Sequence, residues 1–307
     1  MDISWHIAVA GAIVGFIVGL TGMGGGALMT PILVIFFNIQ PLAAVSSDLV
    51  ASLIMRPVGA GVHWRAKTVK APLVKWLCIG SVPAAFAGVM LLKALPGGAQ
   101  LQDRLKIALG AALLLAVVGI IARFVIDRRK GAVDDSISHT VHVHRGRTIA
   151  IGVFGGLIVG MTSVGSGSLM IVLLMLLYPV LSMRELVGTD LVQALPLVAS
   201  ATLGQFLFGD VHIGLATSLI IGGIPAVYLG ARLSSRAPSW FVRRALAVVL
   251  LATALKLLDV STNTLGLTTA VAAVVALASA VPEVRRILAN RREKQEEPAE
   301  EQTSVAA

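Results

Sequence analysis

From Leu28 to Val45, and again from Ile149 to Met183, the chain carries no Asp, Glu, Lys, Arg or His. Uninterrupted runs of about 18 or more such residues are what a bilayer-spanning helix needs, whereas a soluble domain must interleave charge to cover its surface. Only 13% of the 307 residues are charged and 56% are hydrophobic, where a soluble domain carries about 25% charged residues. The chain reads as an all-α polytopic membrane protein. Its net charge of +9 would point to nucleic acid in a soluble chain, but cytoplasmic loops of membrane proteins collect Lys and Arg. No basic arm with interleaved aromatics is present, so nucleic acid is not expected as a partner. The single cysteine, Cys78, excludes a disulfide framework. The opening MDISWHIAVAG lacks the positive region of a signal peptide and reads as the uncleaved start of the first membrane segment.

Gly, Pro and charge punctuation divides the apolar stretches into segments 7–21, 26–38, 42–62, 72–95 and 104–126. After a polar linker come 148–161, 168–181, 186–208, 212–232 and 241–258, then an extra segment over 264–281. The domain reading follows: membrane repeat 1–126, cytoplasmic linker 127–147, membrane repeat 148–258, an extra C-terminal membrane helix within 259–289, and a polar, disordered cytoplasmic tail 290–307. The first two segments of each half fall short of the roughly 20 residues a spanning helix requires.

The halves repeat one another. Gly11, Gly15 and Gly19 recur as Gly152, Gly156 and Gly160, and GLTGMGGGALM (19–29) recurs as GMTSVGSGSLM (160–170). Ser47-Asp48-Leu49-Val50 returns as Thr189-Asp190-Leu191-Val192, and Ile79-Gly80-Ser81-Val82-Pro83-Ala84 as Ile221-Gly222-Gly223-Ile224-Pro225-Ala226. An odd number of segments per half would set the second half upside down. The loop charges agree: 63–75 holds Arg65, Lys67, Lys70 and Lys75, while its counterpart 205–217 has no Lys or Arg. Conversely, 232–244 holds Arg232, Arg236, Arg243 and Arg244 against only Lys93 and Arg104 in 92–104. Basic loops face the cytoplasm, which places the linker and C-terminus inside and the N-terminus outside. Paired inverted repeats are a transporter architecture.

Two glycine patterns differ in meaning. The i, i+4, i+8 stripes form one helix face and read as close-packing surfaces. GMGGG and VGSGS are too dense for a stripe and read as breaks in the helix, tolerated at membrane depth only where protein or a water-filled cavity surrounds them. Half-helices restarting after such breaks aim free N–H groups and positive dipole ends at a common place, which suits an anion; a re-entrant kink without a ligand is the other reading. The candidate substrate-binding residues are Thr21, Gly24, Gly25, Gly26, Thr162, Gly165, Ser166, Gly167 and Ser168, with Ser163 as a further hydroxyl. Arg56 joins them because an arginine inside an apolar span is rare and functional by default, and a guanidinium suits an oxyanion. Snorkelling toward the 63–75 loop is its alternative, and Val198 stands at its place in the second half. Asp48 and Asp190 read as helix caps. Gln193 and Gln205 are weaker candidates for a polar path. His139, His142 and His144 read as part of a solvated linker rather than a metal site, so no metal or cofactor is expected.

G-x-G-G-G-x-L-x-x-P followed by Ser/Thr-Asp/Ser-Leu, in two copies about 140 residues apart, resembles the TauE/SafE sulfite exporter family, and the resemblance covers about residues 8 to 258. Gly24, Gly25, Gly26, Leu28 and Pro31 carry the first motif, and Gly165, Gly167 and Leu169 the second, where Ser166, Ser168 and Val172 depart from it. The resemblance implies a bacterial inner-membrane permease for sulfite, sulfonates or related small anions. No Walker A stretch occurs, so passive or proton-linked exchange by alternating access is the expected drive. An anion channel and a carrier of another anion such as a carboxylate are the alternatives. An intramembrane enzyme is disfavoured, because the only His near the membrane segments are the edge residues His6, His63 and His212. A carrier of cations would want unpaired acids in the membrane, and Asp48, Glu185 and Asp190 sit at predicted segment ends.

Overall fold

The computed structural model describes residues 4–21, 26–94, 98–130, 143–233, 239–260, 266, 268 and 269. The expected C-terminal segment 264–281 apart from these last three residues, the tail 290–307, and the linker histidines His139 and His142 lie outside the described residues.

Ten helices follow in order: α1 (Trp5–Thr21), α2 (Gly26–Phe36), α3 (Pro41–Arg65), α4 (Ala71–Ala94), α5 (Ala99–Lys130), α6 (Arg145–Thr162), α7 (Leu169–Leu177), α8 (Met183–Phe208), α9 (Ile213–Leu233) and α10 (Ser239–Leu257). No strand occurs among the described residues. Four helices are long and apolar enough to cross a bilayer by length and composition: Ala71–Ala94, Gln100–Ala122, Arg184–Phe208 and Ile213–Gly230. α3 has the length, 25 residues, but is interrupted by Ser46, Ser47, Asp48, Ser52 and Arg56, all of which are buried. At about 1.5 Å per residue, α2 with 11 residues and α7 with 9 cross only about half of a 30 Å hydrocarbon core.

The glycine stripes explain which helices meet. α1 packs along α9, and α6 packs along α4, so the first helix of each half lies on the fourth helix of the other. A Cβ at Gly15 would stand 2.7 Å from the carbonyl oxygen of Gly223, and one at Gly152 would stand 2.5 Å from that of Leu77. Only bare Cα atoms let backbones approach this closely, the small-xxx-small contact of membrane helices. Gly156 and Gly160 repeat the contact against Ser81 and Ala85, while from the other side Gly222 meets Ala8 and Gly80 meets Ile149. α5 packs on α10.

α3 and α8 lie against each other and run antiparallel. Ser46 near the start of α3 donates to Gln205 Oε1 near the end of α8 at 2.8 Å. Past the other end of α3, the Lys70 amide donates to Thr189 Oγ1 in the first turns of α8 at 3.1 Å. Large apolar side chains such as Val9, Ile79, Ile107, Val118 and Leu203 point outward, while Asp48, Arg56, Asp190 and Gln193 are enclosed. Apolar outside and ionisable inside is the arrangement a lipid solvent imposes.

Candidate functional site

α6 ends because Ser163 takes a left-handed conformation (φ 59°), and Gly165 (φ 120°) and Gly167 (φ 91°) hold the chain in backbone regions that side chains disfavour. The chain restarts as α7 at Leu169, whose amide bonds back to the Gly165 carbonyl at 3.1 Å. Thr162 is absorbed in this turn: its hydroxyl donates to Ile158 O at 2.6 Å and accepts from the Val164 amide at 3.2 Å. The start of α2 meets the break of the second half. A Cβ on Gly26, the first residue of α2, would collide with the carbonyl oxygen of Ser163. Thr21 closes α1; its side chain, and all of Gly24 and Gly25, lie outside the described residues.

Arg56 points into this junction. It is 7% exposed, and its Nη2 donates to Ser166 Oγ at 2.7 Å across 110 residues of sequence. The alternative of snorkelling toward the 63–75 loop does not occur in this structure. Two carboxylates bear electrostatically on the guanidinium, Asp190 more strongly than Asp48. Both were read as helix caps, and the structure corrects this. α3 starts at Pro41 and α8 at Met183, so each Asp sits two turns inside its helix and is fully enclosed. The true cap of α8 is Ser182, which accepts from the Glu185 amide while Glu185 Oε2 accepts from the Ser182 amide, a reciprocal capping box. Ser-x-x-Glu at 182–185 is a sequence signal that would have moved the helix start forward.

The two carboxylates differ in their surroundings. Asp48 Oδ2 accepts from Thr30 Oγ1 at 2.9 Å and from Ser163 Oγ at 2.8 Å, and its Oδ1 faces Ser52 Oγ at 3.4 Å. Thr30 was not singled out from sequence. Asp190 receives a backbone hydrogen bond from Gly167, while its Oδ1 has no partner among the described residues. The break amide of Gly167 therefore already holds one of the protein's own carboxylates. Arg56 Nε and Ser168 Oγ are likewise buried without a partner. An arginine with an unspent Nε can engage an oxyanion side-on, and a hydroxyl with no partner can add a donor without charge.

A polar track continues along α8. Gln193 donates to Ser81 Oγ at 2.6 Å, and Gln193 Oε1, Thr202 Oγ1 and Gln205 Nε2 lack partners among the described residues. The two ends of the α3–α8 pair differ. At one end Lys70 Nζ lies 2.7 Å from Glu185 Oε1. At the other, a cavity of about 800 Å³ is lined by Ser4, Gln40, Asp210, His212 and Ser218 among others. No group of three or more His, Cys, Asp or Glu gathers among the described residues.

A multi-helix, lipid-facing body with an arginine and two carboxylates enclosed where two short helices begin defines a membrane transporter. The chain belongs to the sulfite exporter TauE/SafE family, whose sequence profile matches residues 7–257. It is 39% identical over 256 residues to "Probable membrane transporter protein YjnA" of Bacillus subtilis (strain 168), covering 83% of this chain and 100% of that protein. It is 25% identical over 236 residues to "Probable membrane transporter protein YdhB" of the same organism, covering 76% of this chain and 91% of that one. No solved structure matches the chain.

Proposed function

We propose that this transporter is a secondary permease that carries sulfite, an organosulfonate or a related small anion out across the bacterial inner membrane by alternating access. The observation that carries the reading is Arg56, enclosed where α2 and the α6–α7 break meet, its Nη2 on Ser166 and its Nε unspent. A guanidinium at that depth is costly unless it has a charged task, and a sulfonate or sulfite oxygen pair fits its planar edge. The antiparallel α3–α8 pair and the exchange of partners between α1–α9 and α6–α4 support an inverted repeat. With the loop charges, this favours an outside N-terminus and a cytoplasmic C-terminus. Export of one negative charge out of an inside-negative compartment gains about 2.3 kcal/mol per 100 mV, so outward movement of an uncompensated anion needs no ATP.

The test is flux of labelled sulfite, thiosulfate, sulfonates and carboxylates through proteoliposomes with the voltage set externally. Saturable sulfite or sulfonate flux that Arg56→Ala abolishes is the expected result. Equal transport of carboxylates would reassign the substrate, unitary ion currents would make the protein a channel, and no flux of any anion overturns the reading.

A further inference from the structure

We infer that Asp190 carries one proton with each anion, by taking up a proton at Oδ1 when the transported anion draws Arg56 away from it. This rests on the permease reading above and adds the coupling ion and its carrier.

The argument starts from two equivalent carboxylates that are treated differently. Asp48 is surrounded by the hydroxyls of Thr30, Ser163 and Ser52. For Asp190 the positions that match them across the repeat are Ile171, Gly22 and Ala194, with no hydroxyl among them. Asp190 is therefore left with the Gly167 amide, the Arg56 charge and an unpaired Oδ1, at 1% exposure. A buried anion with an unpaired oxygen is expensive to maintain unless its counter-charge stays in place.

Among the described residues one arginine, Arg56, bears on both carboxylates, and Val198 stands at its place in the second half. With both aspartates ionised the cluster carries one net negative charge. A guest anion on the Arg56 guanidinium would raise that to two, in a place closed to water. A proton on Asp190 Oδ1 restores the original charge, fills the orphaned acceptor with an O–H, and releases Arg56 for the guest. Asp48 has three hydroxyl donors around it where Asp190 has none, so the proton is assigned to Asp190.

The other titratable groups around α8 are placed elsewhere. α7 has none over Leu169–Leu177. From α4, Cys78 faces the next turn through Gln193 O at 4.0 Å, and Lys75 and Lys93 lie near the helix ends. α6 carries Arg145 and Arg147 at its start, away from the break. From α3 and its following loop, His63 and Lys70 lie beside the first turns of α8 with Arg184 and Glu185. Arg56 is the charged side chain that acts on Asp190. The proton comes from the aqueous side to which the site is open and leaves on the other side with the anion, so one negative charge is cancelled per cycle. A sulfonate then moves electroneutrally, so its export gives up the voltage gain of the uncompensated anion and runs down its own concentration gradient, while a dianion still carries one charge and keeps that gain.

The test uses full-length protein in proteoliposomes held at zero voltage with potassium and valinomycin, with methanesulfonate as a probe that brings no proton of its own and sulfite as a second. Inward anion flux should acidify the lumen by about one proton per anion. In Asp190→Asn whatever anion flux remains should run without acidification, in Asp190→Glu the acidification should return, and in Asp48→Asn whatever flux remains should still carry about one proton per anion. Wild-type anion flux without protons, or acidification that persists in Asp190→Asn, overturns the inference and leaves the permease reading standing. No flux of either anion in the wild type overturns both. If Asp190→Asn is inert, anion-induced infrared difference spectra decide. A protonated-carboxyl band raised by methanesulfonate or sulfite in the wild type and in Asp48→Asn supports Asp190; no band, or a band lost with Asp48, refutes it.

Discussion

A Cβ on Gly26 would press into the backbone carbonyl oxygen of Ser163, closer than real side chains approach, so the first turn of α2 and the α6–α7 break meet backbone to backbone. Ser163 also carries the hydroxyl that donates to Asp48, and so this contact fixes a ligand of the buried charge cluster. Gly26→Ala should therefore destabilise the protein by about 1–3 kcal/mol, the usual range for overpacking. Gly26→Leu should abolish anion flux while membrane content stays at the wild-type level. Gly146→Ala is the control, since a Cβ there meets nothing within 4 Å. Equal flux from Gly26→Leu and wild type in proteoliposomes would show that the contact between α2 and the α6–α7 break is not needed.

Arg56 holds two carboxylates in check. Its removal by Arg56→Ala leaves them buried without a counter-charge, which costs about 3–5 kcal/mol in such pairs. Thermal unfolding in detergent should show that loss, and flux should vanish with it. Adding Asp190→Asn to Arg56→Ala should recover part of the stability, with a coupling of about 0.5–3 kcal/mol. Strict additivity of the two changes would mean that Arg56 and Asp190 do not interact. Arg56→Lys should restore stability better than flux, because an ammonium cannot offer the planar pair of donors.

Much of this fold was legible in the chain itself. The Gly152, Gly156, Gly160 stripe is a packing surface because three turns of a helix put the glycines on one face, and they lie against Leu77, Ser81 and Ala85. Arg56 stood out because an apolar span has no other use for a guanidinium. What the chain does not reveal is who its partners are. Ser166 is 110 residues away, and no spacing rule links them. Asp48 and Asp190 were misread for a local reason: the expected starts at 42 and 186 fell close to Pro41 and Met183, but both residues, two turns further in, were still taken as part of the helix end. Proximity to a helix start makes an aspartate look like a cap. Asymmetry between the repeats was also present in the sequence, as Thr30 against Ile171 and Ser52 against Ala194. Its meaning required knowing that Thr30 and Ser52 surround Asp48.

Ser166 and Ser168 stand two residues apart and should behave differently. Ser166 Oγ accepts from Arg56, and a hydrogen bond to a charged group contributes about 1.5–3 kcal/mol; Ser166→Ala should lower the melting temperature accordingly. Ser168 Oγ has no partner among the described residues, so Ser168→Ala should leave the melting temperature unchanged. If it donates to the anion, its loss should raise the apparent KM about tenfold, equivalent to about 1.4 kcal/mol, with little change in maximal flux. A lowered melting temperature with an unchanged KM in Ser168→Ala would make that hydroxyl structural.

Lys70 and Glu185 close one end of the α3–α8 pair, with Nζ and Oε1 2.7 Å apart. The same loop–helix junction at the other end borders the cavity of about 800 Å³ beside Gln40, Asp210 and His212. A carrier that opens to each side in turn has to part the first contact while the second closes. Thiols at Lys70→Cys and Glu185→Cys, in a Cys78→Ser background and bridged by a short methanethiosulfonate linker, should therefore hold flux to less than about a tenth of the unbridged level. Reduction of the linker should restore it. Ser182→Ala separates this effect from helix capping: losing the cap costs about 1 kcal/mol and leaves the ion pair in place, so flux per folded molecule should stay near wild type. Undiminished flux through the bridged protein would mean that this end of the bundle does not open during transport.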